Sequence, residues 1–387
     1  MNYQNAAYSV LSLFIGAGGL DLGFEQEGFQ LLAGIDINPW CIKTLQKNRP
    51  HWPVILGDIQ TYFPKLNKQP DVLLAGVPCQ GFSLGGHRQA NDQRNLLYQE
   101  VIRIAALCQP RIILIENVLN LRQMKNPHTN QPFTKQIVDE LEKLGYQVFF
   151  DIFKVCYYGV PQTRRRFIFI AFKETAPPHY FLPIPGQITT IRDFLYELGQ
   201  GQIINLPNHD PRWGLNSQVH IETGNPFNSD EISVPVRLSR TASDGNPIRS
   251  FDQPFPAIDT GTIWGWAQGN VVAKRFEKNR VNSQLMSHEK SQVSLWRVSA
   301  SRLRPFTSRE YARLQTFPDD WVFLGQNKRD IQLQIGNAVP VQFAIHLAKN
   351  IKIALECLDT RISFLEKSMD NVQNQFPLES CRQLSLF

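Results

Sequence analysis

Apolar residues in the first half of the chain fall into short continuous runs separated by stretches of helical spacing. Residues 8–14 form a β-branched and apolar run that predicts a strand, and it ends in Ile15-Gly16-Ala17-Gly18-Gly19. Residues 20–27 then read as a helix closed by Gly28. Residues 31–36 predict a second strand, and Asn38-Pro39 opens a helix that runs to Asn48, with proline in its first turn. Further strands are expected at 54–56, 71–75, 111–115, 148–155 and 167–172, with helices at 94–108 and at 134–144, the latter capped by Gly145. Strands that alternate with helices predict an α/β fold with a doubly wound, mostly parallel sheet.

The pattern changes near Lys173. Residues from about 177 to 300 are rich in Pro, Gly, Asn, Ser and Trp and show short strands without long helical periodicity, as expected of a smaller β-rich domain. Regular spacing returns at 307–315, where Thr307 has the character of a helix cap, and Phe317-Pro318 ends that helix. An amphipathic helix follows Pro340 to about residue 358 and is expected to return to the first domain. The expected divisions are thus 1–180, 181–300, a hinge and support at 301–330, a completing helix at 331–358, and a tail at 359–387.

Composition narrows the class. A chain of 387 residues holds two or three domains and a substantial core. Lys and Arg number 40 against 34 Asp and Glu, a net +6, which fits a polyanionic partner without requiring one. The six cysteines form no Cys-x-x-Cys pair and no zinc-spaced cluster with histidine, so free thiols and no metal are expected. The N-terminus carries no basic-then-apolar leader, and no apolar run approaches the ~20 residues of a membrane helix. These features predict a cytoplasmic protein.

The candidate chemistry gathers at strand ends. Pro78-Cys79-Gln80-Gly81 follows the run at 71–75, where open α/β sheets place reacting groups. A cysteine there is either a buried apolar residue beside a turn or a nucleophile. The glycines at 16–19 let a backbone approach a ligand closely, or simply make a tight turn. Their spacing is neither the dinucleotide fingerprint nor a phosphate-cradling P-loop, so a neutral or cationic nucleoside is the natural ligand. Asp36 lies about 20 residues beyond the glycines, where an acid reaches a ribose, and Asp58 follows the next strand; either acid alone is more often a helix cap, but two at successive strand ends behind a glycine turn favour a ligand. Glu116 ends another strand. Arg164, Arg165 and Arg166 sit between two apolar runs, either as a solvated turn or against anionic partners. Residues 84–93, with His87 and Arg88, read as a mobile loop over a site. Arg237, Arg240, Arg249, Trp264, Trp266 and Lys274 interleave basic and aromatic character in the β-rich region, as suits phosphates and bases.

Taken in order, these segments resemble the cytosine-C5 DNA methyltransferases of prokaryotic restriction-modification systems. The matching elements are Phe14-Ile15-Gly16-Ala17-Gly18-Gly19, Gly57-Asp58-Ile59, Pro78-Cys79-Gln80-Gly81-Phe82-Ser83, Asp92-Gln93-Arg94-Asn95-Leu96, Glu116-Asn117-Val118, Gln162-Thr163-Arg164-Arg165-Arg166, Arg309 through Pro318, and Gln334 through Pro340. Val77, Ser12 and Val341 depart from the family pattern, and Gly34 stands where many members carry an acid, which leaves Asp36 to hold the ribose.

The resemblance implies a Rossmann-like S-adenosylmethionine-dependent methyltransferase domain with a target-recognition domain at 181–300. It implies Cys79 as the thiolate that attacks cytosine C6, Glu116 at N3 and the exocyclic amine, and Arg164 and Arg166 steadying base and carboxylate. The methyl donor is expected over Phe14, Gly16, Gly18, Gly19, Asp36, Asp58, Ile59 and Pro78, with Asn337 and Val339 at its methionine end. Ser83, His87, Arg88, Arg237 and Arg240 are expected on double-stranded DNA. A monomer working at the bacterial nucleoid, protecting DNA from a cognate nuclease, is the expected context. A tRNA cytosine-C5 methyltransferase and a non-catalytic DNA-binding relative are the alternatives. The C-terminal Gln383-Leu384-Ser385-Leu386-Phe387 resembles the short motif by which bacterial proteins dock on the polymerase sliding clamp; a tail packed on its own domain is the other reading.

Overall fold

The computed structural model describes residues 7–78, 96–122, 124–126, 129–177, 183–199, 205–210, 233–238, 248–258, 263–268, 272–281, 290–299 and 302–360. Its first seven strands are β1 (Ser9–Leu13), β2 (Gln30–Asp36), β3 (Val54–Leu56), β4 (Val72–Gly76), β5 (Ile112–Val118), β6 (Gln147–Lys154) and β7 (Arg165–Phe172). They form one sheet in the order β3-β2-β1-β4-β5-β7-β6. Pairings from β3 through β5 are parallel, and β7 runs antiparallel to β5. Every residue of β1 is buried, and β5 is buried from Ile112 to Asn117, the mark of strands covered on both faces. Strand order reverses between β1 and β4, so the C-terminal ends of these two strands flank the crevice in which such sheets take ligands.

On one face of this sheet α1 (Gly19–Gln26) packs along α8 (Val341–Thr360). Gly23 makes the approach possible: a β-carbon there would stand 2.5 Å from Ala344 Cβ and 2.7 Å from the α8 backbone. On the other face Leu11, Leu13, Leu73 and Ala75 pack with Val101 and Ile104 of α3 (Tyr98–Cys108) and Ile137 of α4 (Phe133–Lys143). The second helix, α2 (Pro39–Asn48), begins with Pro39 behind the Asn38 cap, as the sequence predicts.

The chain divides into two compact units. The first holds residues 1–153, 165–186 and 341–387; the second holds 154–164 and 187–340. The second unit has a three-stranded antiparallel sheet, β12 (Arg302–Pro305), β9 (Trp264–Gln268) and β8 (Ser233–Arg237), and a hairpin of β10 (Val272–Val281) with β11 (Lys290–Ser299). It also holds α5 (Arg192–Gly199), α6 (Ser308–Leu314) and α7 (Lys328–Asn337). Its interior is organised on Glu310. Oε1 accepts from Trp266 Nε1 at 2.6 Å and Arg304 Nη2 at 2.7 Å; Oε2 accepts from Arg304 Nη1 at 2.8 Å and Thr307 N at 2.6 Å. Thr307 and Glu310 form the two halves of a capping box on α6. Gln162 and Gln315 extend the network: Gln162 Nε2 donates to the Leu314 carbonyl and to Gln315 Oε1, and Gln315 Nε2 donates to the Ile335 carbonyl at 2.7 Å.

The doubly wound sheet and the small antiparallel sheets agree with the predicted fold class. Helices α5 and α7 are additions. α7 opens with a second capping box, on Asn327 and Asp330, and it lies in the same unit as α6.

Candidate active site

The turn after β1 is held in an unusual backbone. Phe14 has φ 56°, Gly16 φ 56° and Gly18 φ 80°. Phe14 occupies a left-handed conformation that side chains rarely adopt, a local strain of the kind found at ligand sites. Asp36, at the end of β2, fixes the turn: its Oδ2 accepts from Gly16 N at 2.8 Å and its Oδ1 from Asn38 N at 2.8 Å. Burial raises its pKa, while these backbone donors oppose the rise. The structure also gives Gly34 a physical reason. A β-carbon there would meet Ile15 Cδ1 at 2.4 Å, so Ile15 fills the space an acidic side chain would need. Asp36, two residues on, is the acid of β2 that faces the turn.

Asp58 caps the short 3-10 turn that follows β3, its Oδ1 accepting from Gln60 N at 3.0 Å, and Ile59 is buried behind it. Two residues at this rim escaped sequence reasoning. Ile37, next to Asp36, is a large apolar side chain 68% exposed. Asp21, in the first turn of α1, is a carboxylate 4% exposed, and neither of its oxygens has a hydrogen-bond partner. No signal in the sequence marks Asp21, because the burial of Gly19–Phe24 appears only in the structure.

The second cluster lies across β4 and β5. Gly76 is the register partner of Glu116, so the chain that leaves β4 through Val77 and Pro78 towards Cys79 starts beside that carboxylate. Glu116 lies within β5 rather than beyond its end, and it is buried. Val118 of β5 pairs with Arg166 of β7, and the Arg166 guanidinium forms an ion pair with Glu116. Desolvation pushes the Glu116 pKa up and the charge of Arg166 pulls it down; burial is the larger effect. Arg166 also donates Nη1 to the Arg165 carbonyl at 2.9 Å.

Arg164 has other partners, in the second unit. Its Nη1 donates to the carbonyls of Gly336 at 2.8 Å and Ile258 at 3.2 Å. Asn337 ends α7 with an exposed side chain, and Val339 is buried beyond it. Arg237 ends β8, opposite Trp264 of β9, and Arg249 stacks over that indole at 5.7 Å. Cys79, Ser83, His87, Arg88, Arg240 and the segment Gln383–Phe387 lie outside the described residues. Among the described residues no set of His, Cys, Asp and Glu is placed to hold a metal, and no helix is long and apolar enough to cross a membrane.

A ligand crevice at the β1/β4 switch point and a buried acid in register with the end of β4 meet a family match that spans them both. The profile of C-5 cytosine-specific DNA methylases matches residues 8–353. The chain belongs to that family. Among curated relatives, the Type II methyltransferase M.PspPI of Psychrobacter sp. is 32% identical over 357 residues, covering 89% of this chain and 79% of that protein. M.Eco47II of Escherichia coli is 31% identical over 363 residues, covering 92% and 82%. The fold is also that of DNMT2 from Spodoptera frugiperda, with a TM-score of 0.56 at 17% identity over 89% of this chain and 100% of the other. As a C-5 cytosine methylase of the type II restriction-modification kind, the chain is an enzyme that methylates cytosine in DNA.

Proposed function

We propose that the enzyme transfers the methyl group of S-adenosylmethionine to C5 of a cytosine flipped out of duplex DNA, through a covalent adduct at Cys79. The observation that supports this reading is the register of Gly76 with Glu116, which sets a buried carboxyl group beside the end of β4, three residues before Cys79 in the sequence.

The residues after β1 fit the donor. Gly16 and Gly18 leave the backbone of the turn bare, Asp36 presents a carboxylate at the neighbouring strand end, and exposed Ile37 offers an apolar face to a base. Phe14, Gly19, Asp58, Ile59, Pro78, Asn337 and Val339 complete the proposed contacts. When bound, the donor supplies an electrophilic methyl group on a sulfonium.

The protein supplies the rest. The Cys79 thiolate adds to cytosine C6, forming a carbon–sulfur bond and making C5 nucleophilic. Glu116, held towards its neutral form by burial, gives a hydrogen bond to N3 as negative charge develops there. Arg166 keeps that carboxyl group oriented, and Arg164 braces the segment before β7. Once C5 is methylated, loss of the C5 proton expels Cys79 and restores the ring. Extrusion of the base costs a few kcal/mol, which contacts from Ser83, His87 and Arg88 and from Arg237 and Arg240 offset. Strands β10 and β11 carry Lys274, Arg275, Lys278, Arg280 and Arg297 in their sequence, Arg237 ends β8, and Arg240 follows it in the sequence; such basic strands suit phosphate and base contacts.

The test is a trap. Duplex DNA with 5-fluorocytosine at the target retains fluorine where the proton should leave, so the wild-type enzyme and donor should give a stable protein–DNA adduct. Cys79→Ser should give no adduct and no 5-methylcytosine while still binding DNA. Methylation by that variant overturns the assignment, and methyl transfer to tRNA in preference to duplex DNA overturns the substrate. We also propose that the modification shields DNA from a partner nuclease and that Gln383–Phe387 docks on the sliding clamp. Deletion of those five residues should abolish clamp capture and leave methylation intact; clamp capture that survives the deletion removes the docking proposal.

A further inference from the structure

Asp21 is a carboxylate without a counterpart. It sits two residues after Gly19, is 4% exposed, and neither oxygen meets a donor in hydrogen-bond geometry. Ser12 on β1 and the residue's own backbone N–H are the dipoles that favour its ionised form, and no cation among the described residues acts on it. On α8, which packs along α1, Lys349 and Lys352 reach Glu27 at the far end of α1, and His346 does not act on Asp21 either. From β2, Asp36 is engaged by Gly16 and Asn38. Burying a carboxylate so completely costs several kcal/mol unless a cation or donor arrives to meet it.

The same turn offers the opposite polarity. The first N–H groups of α1 have no partners within the helix and attract an anion. Donors at a helix start with one bare carboxylate beside them match a zwitterion, the amino-acid end of a ligand. We propose that Asp21 receives the α-ammonium group of the methyl donor, while the first-turn N–H groups of α1 take its carboxylate. A sulfonium has no N–H to give, so the ammonium is the cation this acceptor fits. The inference rests on the S-adenosylmethionine reading above, and it adds a residue which the family motifs around the turn do not name.

A proton follows the ligand. Burial raises the Asp21 pKa from its ordinary value to about 7. Near neutrality much of the empty enzyme therefore holds that proton, and an arriving ammonium must displace it. Binding then releases a proton, and affinity rises with pH up to neutrality.

The experiment is calorimetry with two adenosine compounds, S-adenosylhomocysteine, which keeps the amino-acid end, and 5′-methylthioadenosine, which lacks it. Asp21→Asn should weaken the first by about 10- to 100-fold, the range for a hydrogen bond to a charged group, and leave the second within about twofold, as a contact outside its reach requires. Proton release on S-adenosylhomocysteine binding, read from the buffer dependence of the heat at pH 6.5, should vanish in the same variant. Placing the carboxylate across the contact, with Ser12→Asp in an Asp21→Ser protein, should restore S-adenosylhomocysteine binding. Equal weakening of both compounds marks a role in the fold alone and overturns the proposal, as does unchanged binding of both. If the wild-type enzyme binds neither compound, the donor assignment falls as well, so the two failures are distinguishable.

Discussion

Two buried carboxyl groups in the first unit are set by opposite means. Glu116 has Arg166 as a partner, and burial still outweighs that charge. Its proposed task is to give a hydrogen bond to N3, so Glu116→Gln, which keeps shape but cannot exchange a proton, should lower single-turnover methyl transfer by roughly 10²- to 10⁴-fold, with little change in DNA binding. A variant with full rate removes Glu116 from the chemistry. Asp21 has no such partner, and its effect is on stability. Its folded pKa of about 7 lies above the ordinary 3.8, so from about pH 4 to 7 the folded protein keeps a proton that the unfolded chain has lost. Stability from this group must fall as pH rises through that window, by about 1.4 kcal/mol per pKa unit. Asp21→Asn should therefore melt higher than wild type at pH 8 and show a flatter slope between pH 4 and 7 by calorimetry. Equal melting at pH 8 would show the carboxylate to be solvated. Of the pair, only Glu116 was legible beforehand, because an acid at the end of an apolar run announces itself. Asp21 was hidden by a helix that reads as amphipathic yet is buried throughout its first turns.

Among the elements, the parallel core of the sheet was written in continuous apolar runs, and β3, α2 and α4 lie within a residue or so of their expected limits. The order of strands was not, since periodicity carries no information on which strand neighbours which. That β7 enters antiparallel beside β5, and so delivers Arg166 to Glu116, is a property of the register alone. α5 was missed because it is only eight residues long and lies in a region whose composition is dominated by Pro, Gly, Asn and Ser. The α1–α8 contact shows how narrowly an element can be placed. Gly23→Ala would press a methyl group into Ala344 and the α8 backbone at 2.5–2.7 Å. Backbone gives way poorly, so the change should cost about 1–3 kcal/mol, read as a lowered urea midpoint with the denaturant slope unchanged. A neutral result would mean that α8 slides on α1 without penalty.

At the scale of the whole molecule, the chain passes between its two units at residues 153/154, 164/165, 186/187 and 340/341, yet each unit has its own interior. That of the second depends on one charge pair. Arg304 and Glu310 are both almost fully buried, and the glutamate also satisfies the Trp266 indole N–H and the Thr307 backbone. Removing the acid leaves a guanidinium and two donors stranded, a loss of about 3–5 kcal/mol. Glu310→Ala should thus open the second unit while sparing the first. Hydrogen exchange followed by mass spectrometry should show β9, β12 and α6 losing protection, with β1, β4 and β5 unchanged, and duplex DNA binding should be lost. Glu310→Gln, which keeps volume and two hydrogen bonds, should lie between wild type and the alanine variant. Protection lost evenly across both units would mean that they unfold as one, and the second unit would then share its stability with the first instead of depending on the Arg304–Glu310 pair.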